Sequence, residues 1–307
     1  MQVSKITPSS GAKLQIVFFG SGPVAAASLA LLLETFDVEA VVTKPRPPHH
    51  RGSVPVLELA HQKGLTVMET SGKKELSSAV AAASFKSRLA ILIDFGIIVA
   101  QDVIDAFPLG IVNSHFSLLP EWRGADPITF SILSGQKRTG VSLMLLVEKM
   151  DEGPLLAQAP YDIGPKETTP SLTEALIDLS YRQLAAVLPL YFSGETQAMP
   201  QEVVTMADSS LATYSRKLTK DDGVLDFTKP AAVLEREVRA FAEWPKSRTV
   251  IAGKDVVVTG AHVAEEGGAA LGVSAGVGKA YVGSKQLCIA TSDGVLVIDT
   301  LKPAGKP

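Results

Sequence analysis

The stretch that decides the fold is Ile111-Val-Asn-Ser-His-Phe-Ser-Leu-Leu-Pro-Glu-Trp-Arg-Gly124, which passes from a short strand-like run into a loop. Comparable runs rich in β-branched residues recur through the first two hundred residues, separated by helix-like segments. They are continuous rather than alternating, as expected for parallel strands buried on both faces, and they predict βαβ units in a mostly parallel sheet. The other predicted strands are Leu14 to Phe19, Val38 to Thr43, Leu65 to Glu69, Leu89 to Phe95 and Val141 to Val147.

Helix signals and a change of composition suggest two domains. Pro23 and Pro55 stand where helices should begin, and Gly64 is a suitable helix terminator. After a long predicted helix, Leu172 to Phe192, the chain becomes polar; it then has one amphipathic helix, Ala231 to Ala242, followed by short glycine-separated β runs. We predict a loose tail over residues 1–13, an α/β catalytic domain over 14–193, a linker over 194–210 and a small β barrel domain over 211–307.

Composition excludes several functional classes. Hydrophobic residues make up 46% of the 307 residues and charged residues 20%, which is typical of a folded globular protein. The net charge of −3 argues against binding nucleic acid through bulk charge alone. The single cysteine, Cys288, cannot form an internal disulfide, and the longest apolar run, Val24 to Leu33, is too short to span a bilayer. We therefore expect a cytoplasmic protein without membrane contact. We also expect a monomer, although none of these features of the sequence determines the oligomeric state. We also expect no metal, because no ligand spacing is present.

The turn Gly20-Ser-Gly22-Pro-Val-Ala25 formally matches the dinucleotide fingerprint between a strand and a helix. NAD would require an acidic residue near the end of the second strand, where the chain has Lys44 instead. Lys44 and Arg46 suit the 2′-phosphate of NADP. The plainer interpretation, which we favour, is a tight strand-to-helix turn with its amides satisfied within the chain.

Three polar residues follow predicted strand ends. Asn113 and His115 are two residues apart and so project from the same face, at the edge where open α/β sheets bind ligands. Isolated Asn and His at such positions are more often structural. Asp151 changes that balance, because it also follows a predicted strand, and we expect adjacent strand ends to bring it to His115.

An amide donor, an imidazole and a carboxylate suit acyl transfer to an amine. That reaction passes through a tetrahedral oxyanion while the attacking nitrogen gains positive charge. We predict that Asn113 donates to the oxyanion, that His115 donates to it or carries a proton, and that Asp151 orients the imidazole and accepts proton density.

The motif Asn113-x-His115-x-Ser117-Leu-Leu-Pro120, followed by Trp122-Arg123-Gly124, resembles the signature of folate-dependent formyltransferases, with Asp151 at the family's catalytic aspartate. The resemblance implies a Rossmann-like domain joined to an OB-like barrel, and 10-formyltetrahydrofolate as cosubstrate. It places folate against two segments, which are Ser117, Leu118, Leu119 and Pro120, and Ile93, Asp94, Phe95, Gly96 and Ile97.

Further motifs resemble the members of that family that formylate initiator methionyl-tRNA. These motifs are Tyr214 to Leu218, Arg239 to Pro245 and a basic loop, Lys44 to Gly52, which is shorter than usual. They imply tRNA contacts from Lys44, Arg46, Arg51, Arg123, Arg216, Lys217 and Arg239. For such residues a solvated surface role is the commoner alternative.

Several residues depart from the family pattern. Phe116 replaces a glycine, Glu121 a basic residue, Asp126 an alanine and Asp94 a small residue. All of these except Phe116 make the site more acidic than usual. Three alternatives therefore stay open: a formyltransferase acting on another amine, an inactive protein that binds tRNA or folate, and an NADP-dependent oxidoreductase. The last would leave Asn113, His115 and Asp151 without a task.

Overall fold

The computed structural model describes residues 13–49, 51–204, 211–265, 276–283 and 285–304. The predicted tail, apart from Lys13, and residues 205–210 of the predicted linker lie outside these ranges. The described residues form two compact units. The first consists of the described parts of 1–123, 140–160 and 175–212, and the second of the described parts of 124–139, 161–174 and 213–307.

The N-terminal two hundred residues alternate strands and helices, as predicted. In chain order the elements are β1 (Gln15–Phe19), α1 (Pro23–Thr35), β2 (Asp37–Thr43), α2 (Pro55–Gln62), β3 (Val67–Glu69), α3 (Lys73–Ala82), β4 (Ala90–Leu92), α4 (Gln101–Asp105), β5 (Ile111–His115), β6 (Arg123–Gly124), α5 (Pro127–Ser134), β7 (Arg138–Leu145), β8 (Leu155–Asp162), α6 (Thr169–Ser193) and α7 (Gln201–Val204). Helices α1 and α2 begin at the predicted prolines, and Gly64, with φ of 66°, follows the end of α2.

Seven of these strands form one sheet in the order β3-β2-β1-β4-β5-β7-β8. The five strands β3, β2, β1, β4 and β5, adjacent in that order, are parallel to one another. Strand β7 runs antiparallel to β5. The predicted mostly parallel, Rossmann-like sheet is confirmed. Its core includes fully buried side chains from β1 and β4, such as Phe19 and Ala90, packed with Leu76 of α3 and Phe107.

The C-terminal residues form an antiparallel sheet covered by one helix. Its elements are β9 (Tyr214–Ser215), a 3₁₀ turn (Lys220–Gly223), α8 (Ala231–Ala240), β10 (Ser247–Ile251), β11 (Lys254–Val263), β12 (Ala280–Gly283), β13 (Gln286–Ala290) and β14 (Val295–Pro303). Five strands pair in the order β10-β11-β14-β13-β12, while β9 pairs with β6. Leu234 and Val238 of α8 pack on Val258, Ile289 and Leu296 of the sheet. The OB-like prediction is confirmed by this half-barrel.

Candidate active site

Strand β5 carries Asn113 and His115 on one face, and both side chains are nearly buried, with exposed fractions of 7% and 6%. The side chain of Asn113 forms no hydrogen bond with the part of the chain that the structure describes. A structural asparagine would cap a turn or bond a backbone carbonyl. Asn113 does neither, so its amide N–H groups remain available to a ligand.

The two nitrogens of the His115 ring face different partners. Nε2 lies 2.9 Å from the backbone carbonyl of Trp122, and because a carbonyl can only accept, Nε2 carries the hydrogen. Nδ1 lies 3.8 Å from Oδ2 of Asp151. Because Nε2 is already hydrogen-bonded to the Trp122 carbonyl, a proton can be exchanged with a substrate only through Nδ1 of His115 or the Asp151 carboxylate.

Asp151 reaches His115 by a different route from the one expected. Because β7 is antiparallel to β5, with Leu145 paired to Val112 and Ser142 to His115, the end of β7 lies away from His115. The loop after β7 therefore has to return along the sheet. Asp151 adopts the left-handed conformation within that loop, at φ of 53°, and its side chain is nearly buried.

The turn between β1 and α1 is occupied by the chain itself. The backbone N–H groups of Ser21 and Gly22 donate to the carbonyl of Asp94 at 3.0 and 3.4 Å, and Ser21 Oγ donates to the Phe95 carbonyl. A Cβ at Gly22 would lie 1.9 Å from Oδ2 of Asp94. The amides that would hold a pyrophosphate are thus already used, which argues against a dinucleotide and supports the structural interpretation of this turn.

The predicted folate segments occupy two different environments. Within the described chain the backbone N–H groups of Phe95, Gly96 and Ile97 donate to no other residue, so they are free to meet a ligand. The Ser117 to Pro120 segment, in contrast, is buried. Ser142 Oγ donates to the Ser117 carbonyl, and the Leu119 N–H donates to Ser142 Oγ. This burial favours a structural role for the segment, packed under the site, over direct contact with folate.

Comparison with known proteins decides the family. The model for "Formyl transferase" matches residues 14–188, and that for "Formyl transferase, C-terminal domain" matches residues 217–307. A methionyl-tRNA formyltransferase of Myxococcus xanthus is 38% identical over 296 residues, spanning 95% of this chain and 91% of the relative. One of Roseiflexus castenholzii is 34% identical over 299 residues, spanning 95% and 92%. The chain belongs to the formyl transferase family.

Two solved structures share the fold at low sequence identity. WlaRD, a sugar 3N-formyl transferase solved with dTDP and 5-N-formyl-THF, is 16% identical with a TM-score of 0.68, covering 97% of this chain and all of WlaRD (100%). HypX of Aquifex aeolicus, solved with tetrahydrofolic acid, is 17% identical with a TM-score of 0.63, covering 96% of this chain and 45% of HypX. These likenesses support the fold alone.

Several basic residues predicted to meet tRNA already have partners in this formyl transferase. Arg216 forms a bidentate ion pair with Asp222, and its guanidinium holds the pKa of that carboxyl well below its usual range. Arg239 donates to Glu235 at 2.6 Å and to the Glu167 carbonyl at 2.7 Å, and is largely buried. These contacts favour a structural role for Arg239.

The remaining predicted tRNA residues divide in the same way. Arg46 pairs with Glu58 at 2.9 Å, and Arg123 donates to Gln201 at 2.7 Å. The ammonium of Lys44 lies against Gly96, where a Cβ would be only 2.7 Å away, so Lys44 is placed beside the predicted folate loop. Only Arg51 and Lys217 are exposed and have no ion-pair partner among the described residues; residue 50, beside Arg51, lies outside them.

Two features of the site escaped the sequence. The Trp122 carbonyl that holds His115 is a backbone group, and any residue supplies one. Gln201, which bonds the Asp151 loop, lies in a polar stretch that is typical of a linker. Nothing in either local sequence signals these contacts. For metals, the described residues contain no cluster of three or more His, Cys, Asp or Glu side chains able to hold an ion.

Proposed function

We propose that this protein transfers the formyl group of 10-formyltetrahydrofolate to the amino group of methionyl initiator tRNA, a reaction that serves translation initiation. The observation that carries the proposal is the Asn113 carboxamide, which is nearly buried, bonds nothing in the described chain and shares a strand face with His115. Its choice of acceptor rests on the methionyl-tRNA formyltransferases, which are 34% to 38% identical over 95% of this chain.

The donor fits the residues that are present. The backbone N–H groups of Phe95, Gly96 and Ile97, which lack partners in the described chain, suit the polar edge of a pterin ring. When bound, the folate supplies an activated formyl carbon. Lys44, whose ammonium lies against Gly96, lends positive charge to this loop.

Each catalytic residue then has one role. Asn113 donates an N–H to the formyl oxygen as negative charge develops there. The attacking amine must lose one proton as the new C–N bond forms, and the departing nitrogen must gain one. The pair formed by Asp151 and His115 Nδ1, 3.8 Å apart, takes up the proton from the amine and passes it to the departing nitrogen as the old C–N bond breaks. The Trp122 carbonyl keeps the ring in place.

In this proposal, only the exposed basic residues among the predicted tRNA contacts bind the tRNA. Lys217 and Arg51 are the strongest candidates for phosphate contacts, and Arg216 contributes through a guanidinium that remains largely exposed beside Asp222. Asp126, one of the acidic departures, accepts a hydrogen bond from the backbone N–H of Leu218 at 3.3 Å. That departure therefore has a structural explanation and does not indicate a different acceptor.

The setting follows from the proposed reaction. A translation enzyme of this kind acts in the cytoplasm, and no helix in the described ranges is long and apolar enough to cross a bilayer. We propose that it acts as a monomer, which sedimentation velocity at micromolar concentration measures directly.

A direct assay tests the function. Purified protein should convert methionyl-tRNA and 10-formyltetrahydrofolate into formylmethionyl-tRNA with release of tetrahydrofolate, and uncharged tRNA and free methionine serve as controls. Formylation of a small amine in place of methionyl-tRNA would support the rival enzyme and overturn the proposal. Folate and tRNA binding without turnover would indicate an inactive binding protein, and tight binding of NADP would indicate an oxidoreductase.

A further inference from the structure

Gln201 is a buried residue outside the proposed catalytic set. Its side-chain amide forms hydrogen bonds with both loops of the candidate active site. Gln201 lies at the start of α7 and is 3% exposed. Its Nε2 donates to the backbone carbonyls of Asp151 at 2.8 Å and Gly153 at 2.9 Å, and its Oε1 accepts from Arg123 Nη2 at 2.7 Å. One amide thus joins two loops.

Those two loops are the ones that determine the geometry of the catalytic pair. Arg123 directly follows Trp122, whose carbonyl accepts the hydrogen bond from His115 Nε2 at 2.9 Å. Asp151 lies in the other loop and faces His115 Nδ1 at 3.8 Å. Gln201 therefore links the loop that contains the Trp122 carbonyl, which orients the imidazole, to the backbone of Asp151, whose carboxylate faces the imidazole.

The position of Gln201 does not depend on its own side chain. Met199 and Leu155 exchange two backbone hydrogen bonds of 2.7 and 2.8 Å, which fasten the segment just before Gln201 to strand β8. Asp151, in contrast, stands outside helix and strand in the left-handed conformation. Its carbonyl accepts a hydrogen bond from the Gln201 amide, so losing that amide loosens the backbone at Asp151 while the anchored segment stays in place. The ion pair between Arg123 and Glu152, at 3.6 Å, continues to hold the neighbouring residue.

We propose that Gln201 is a positioning residue for formyl transfer, which holds the Asp151 carboxylate in register with His115. This rests on the function proposed above. Gln201 forms no hydrogen bond with Asn113 or with the exposed Arg51 and Lys217, and the Arg123 side chain that it holds is largely buried. We therefore expect Gln201 to act on the chemical step and not on substrate binding. A misplacement of about 1 Å in such a pair is enough to slow a reaction by roughly 100-fold.

The test replaces Gln201 with residues of similar size. Gln201→Met keeps the volume but removes both polar functions, and Gln201→Glu keeps an acceptor for Arg123 while turning a carboxylate oxygen towards two carbonyls. Both should lower kcat about 10- to 100-fold and change KM for tRNA and folate less than about twofold. Glu202→Gln, an exposed neighbour on the same short helix, is the matched control and should match the wild type.

A double-mutant cycle with Asp151→Asn separates positioning from general damage. If Gln201 acts through Asp151, adding Gln201→Met to Asp151→Asn should cost less than about threefold more in single-turnover rate. A fully multiplicative loss, an unchanged kcat in Gln201→Met, or a raised KM for tRNA at constant kcat would each overturn the proposal. Should the Met variant fail to fold, Gln201→Glu goes through the same cycle with the same criteria. A wild type inactive on methionyl-tRNA would instead refute the proposed function.

Discussion

Replacing Asn113 with alanine isolates the role of one hydrogen-bond donor. The side chain bonds nothing in the described chain, so its truncation breaks no internal hydrogen bond. If it donates to the formyl oxygen in the transition state, its loss should cost about 2.7 to 4 kcal/mol of barrier, or roughly 100- to 1000-fold in kcat. The melting temperature should shift by less than about 3 °C, because the folded state loses only a small packed group.

The neighbouring residue provides a matched control for this experiment. Ser114 points to the opposite face of β5 and shares a 2.7 Å hydrogen bond with Ser180, so Ser114→Ala should lose about 1 kcal/mol of unfolding free energy and keep its kcat. Turnover is measured as formylmethionyl-tRNA produced under saturating donor, with thermal unfolding followed in parallel. A kcat for Asn113→Ala within about threefold of wild type, or an equal loss in Ser114→Ala, would refute the oxyanion assignment.

Three further outcomes are expected. Gly96 has φ of 65° and a Cβ there would lie 2.7 Å from the Lys44 ammonium, so Gly96→Ala should destabilise the fold by about 1 to 2 kcal/mol and raise KM for 10-formyltetrahydrofolate; an unchanged melting temperature and KM would contradict this. Lys217→Ala should reduce the salt dependence of log(kcat/KM) for tRNA by about one unit, whereas Arg239→Ala, which loses an ion pair with its own helix, should lower the melting temperature and keep the salt slope. Burial raises the pKa of Glu39, but hydrogen bonds from two backbone N–H groups outweigh it and hold that pKa below its ordinary value. This stabilisation is present above the unfolded-state pKa and is lost as pH falls through the folded-state value, so urea unfolding should show the largest gap between wild type and Glu39→Gln near pH 7; a gap that widens below about pH 4 would contradict the assignment.

Local sequence patterns predicted many of the strands and helices. The predicted run Val38 to Thr43 appears as Asp37–Thr43, and the helix predicted over Leu172 to Phe192 appears as Thr169–Ser193. Such elements depend on residues close in sequence, through side-chain periodicity, proline starts and glycine ends. The same period-two alternation placed Asn113 and His115 on one face of β5.

Pairings between distant residues were not accessible in this way. The antiparallel direction of β7 changes how Asp151 reaches His115, and β7 is buried along almost its whole length, as a parallel strand would be. Arg216 and Arg239 look alike as basic residues, yet one is exposed beside Asp222 and the other is largely buried against Glu235. The charge of a residue can be read from the sequence, whereas the partner of that charge depends on the tertiary fold.

By itself, the sequence determined a mostly parallel α/β domain followed by an OB-like domain, the shared face of Asn113 and His115, and a family resemblance that residues 14–188 and 217–307 confirm. Only the tertiary structure decided that the Trp122 carbonyl holds the His115 imidazole and that Gln201 joins the loops containing Arg123 and Asp151. The physical reason is that strand and helix formation depends on near neighbours, whereas these contacts join groups up to 78 residues apart in the sequence. Several of them also use backbone carbonyls, which carry no sequence signal.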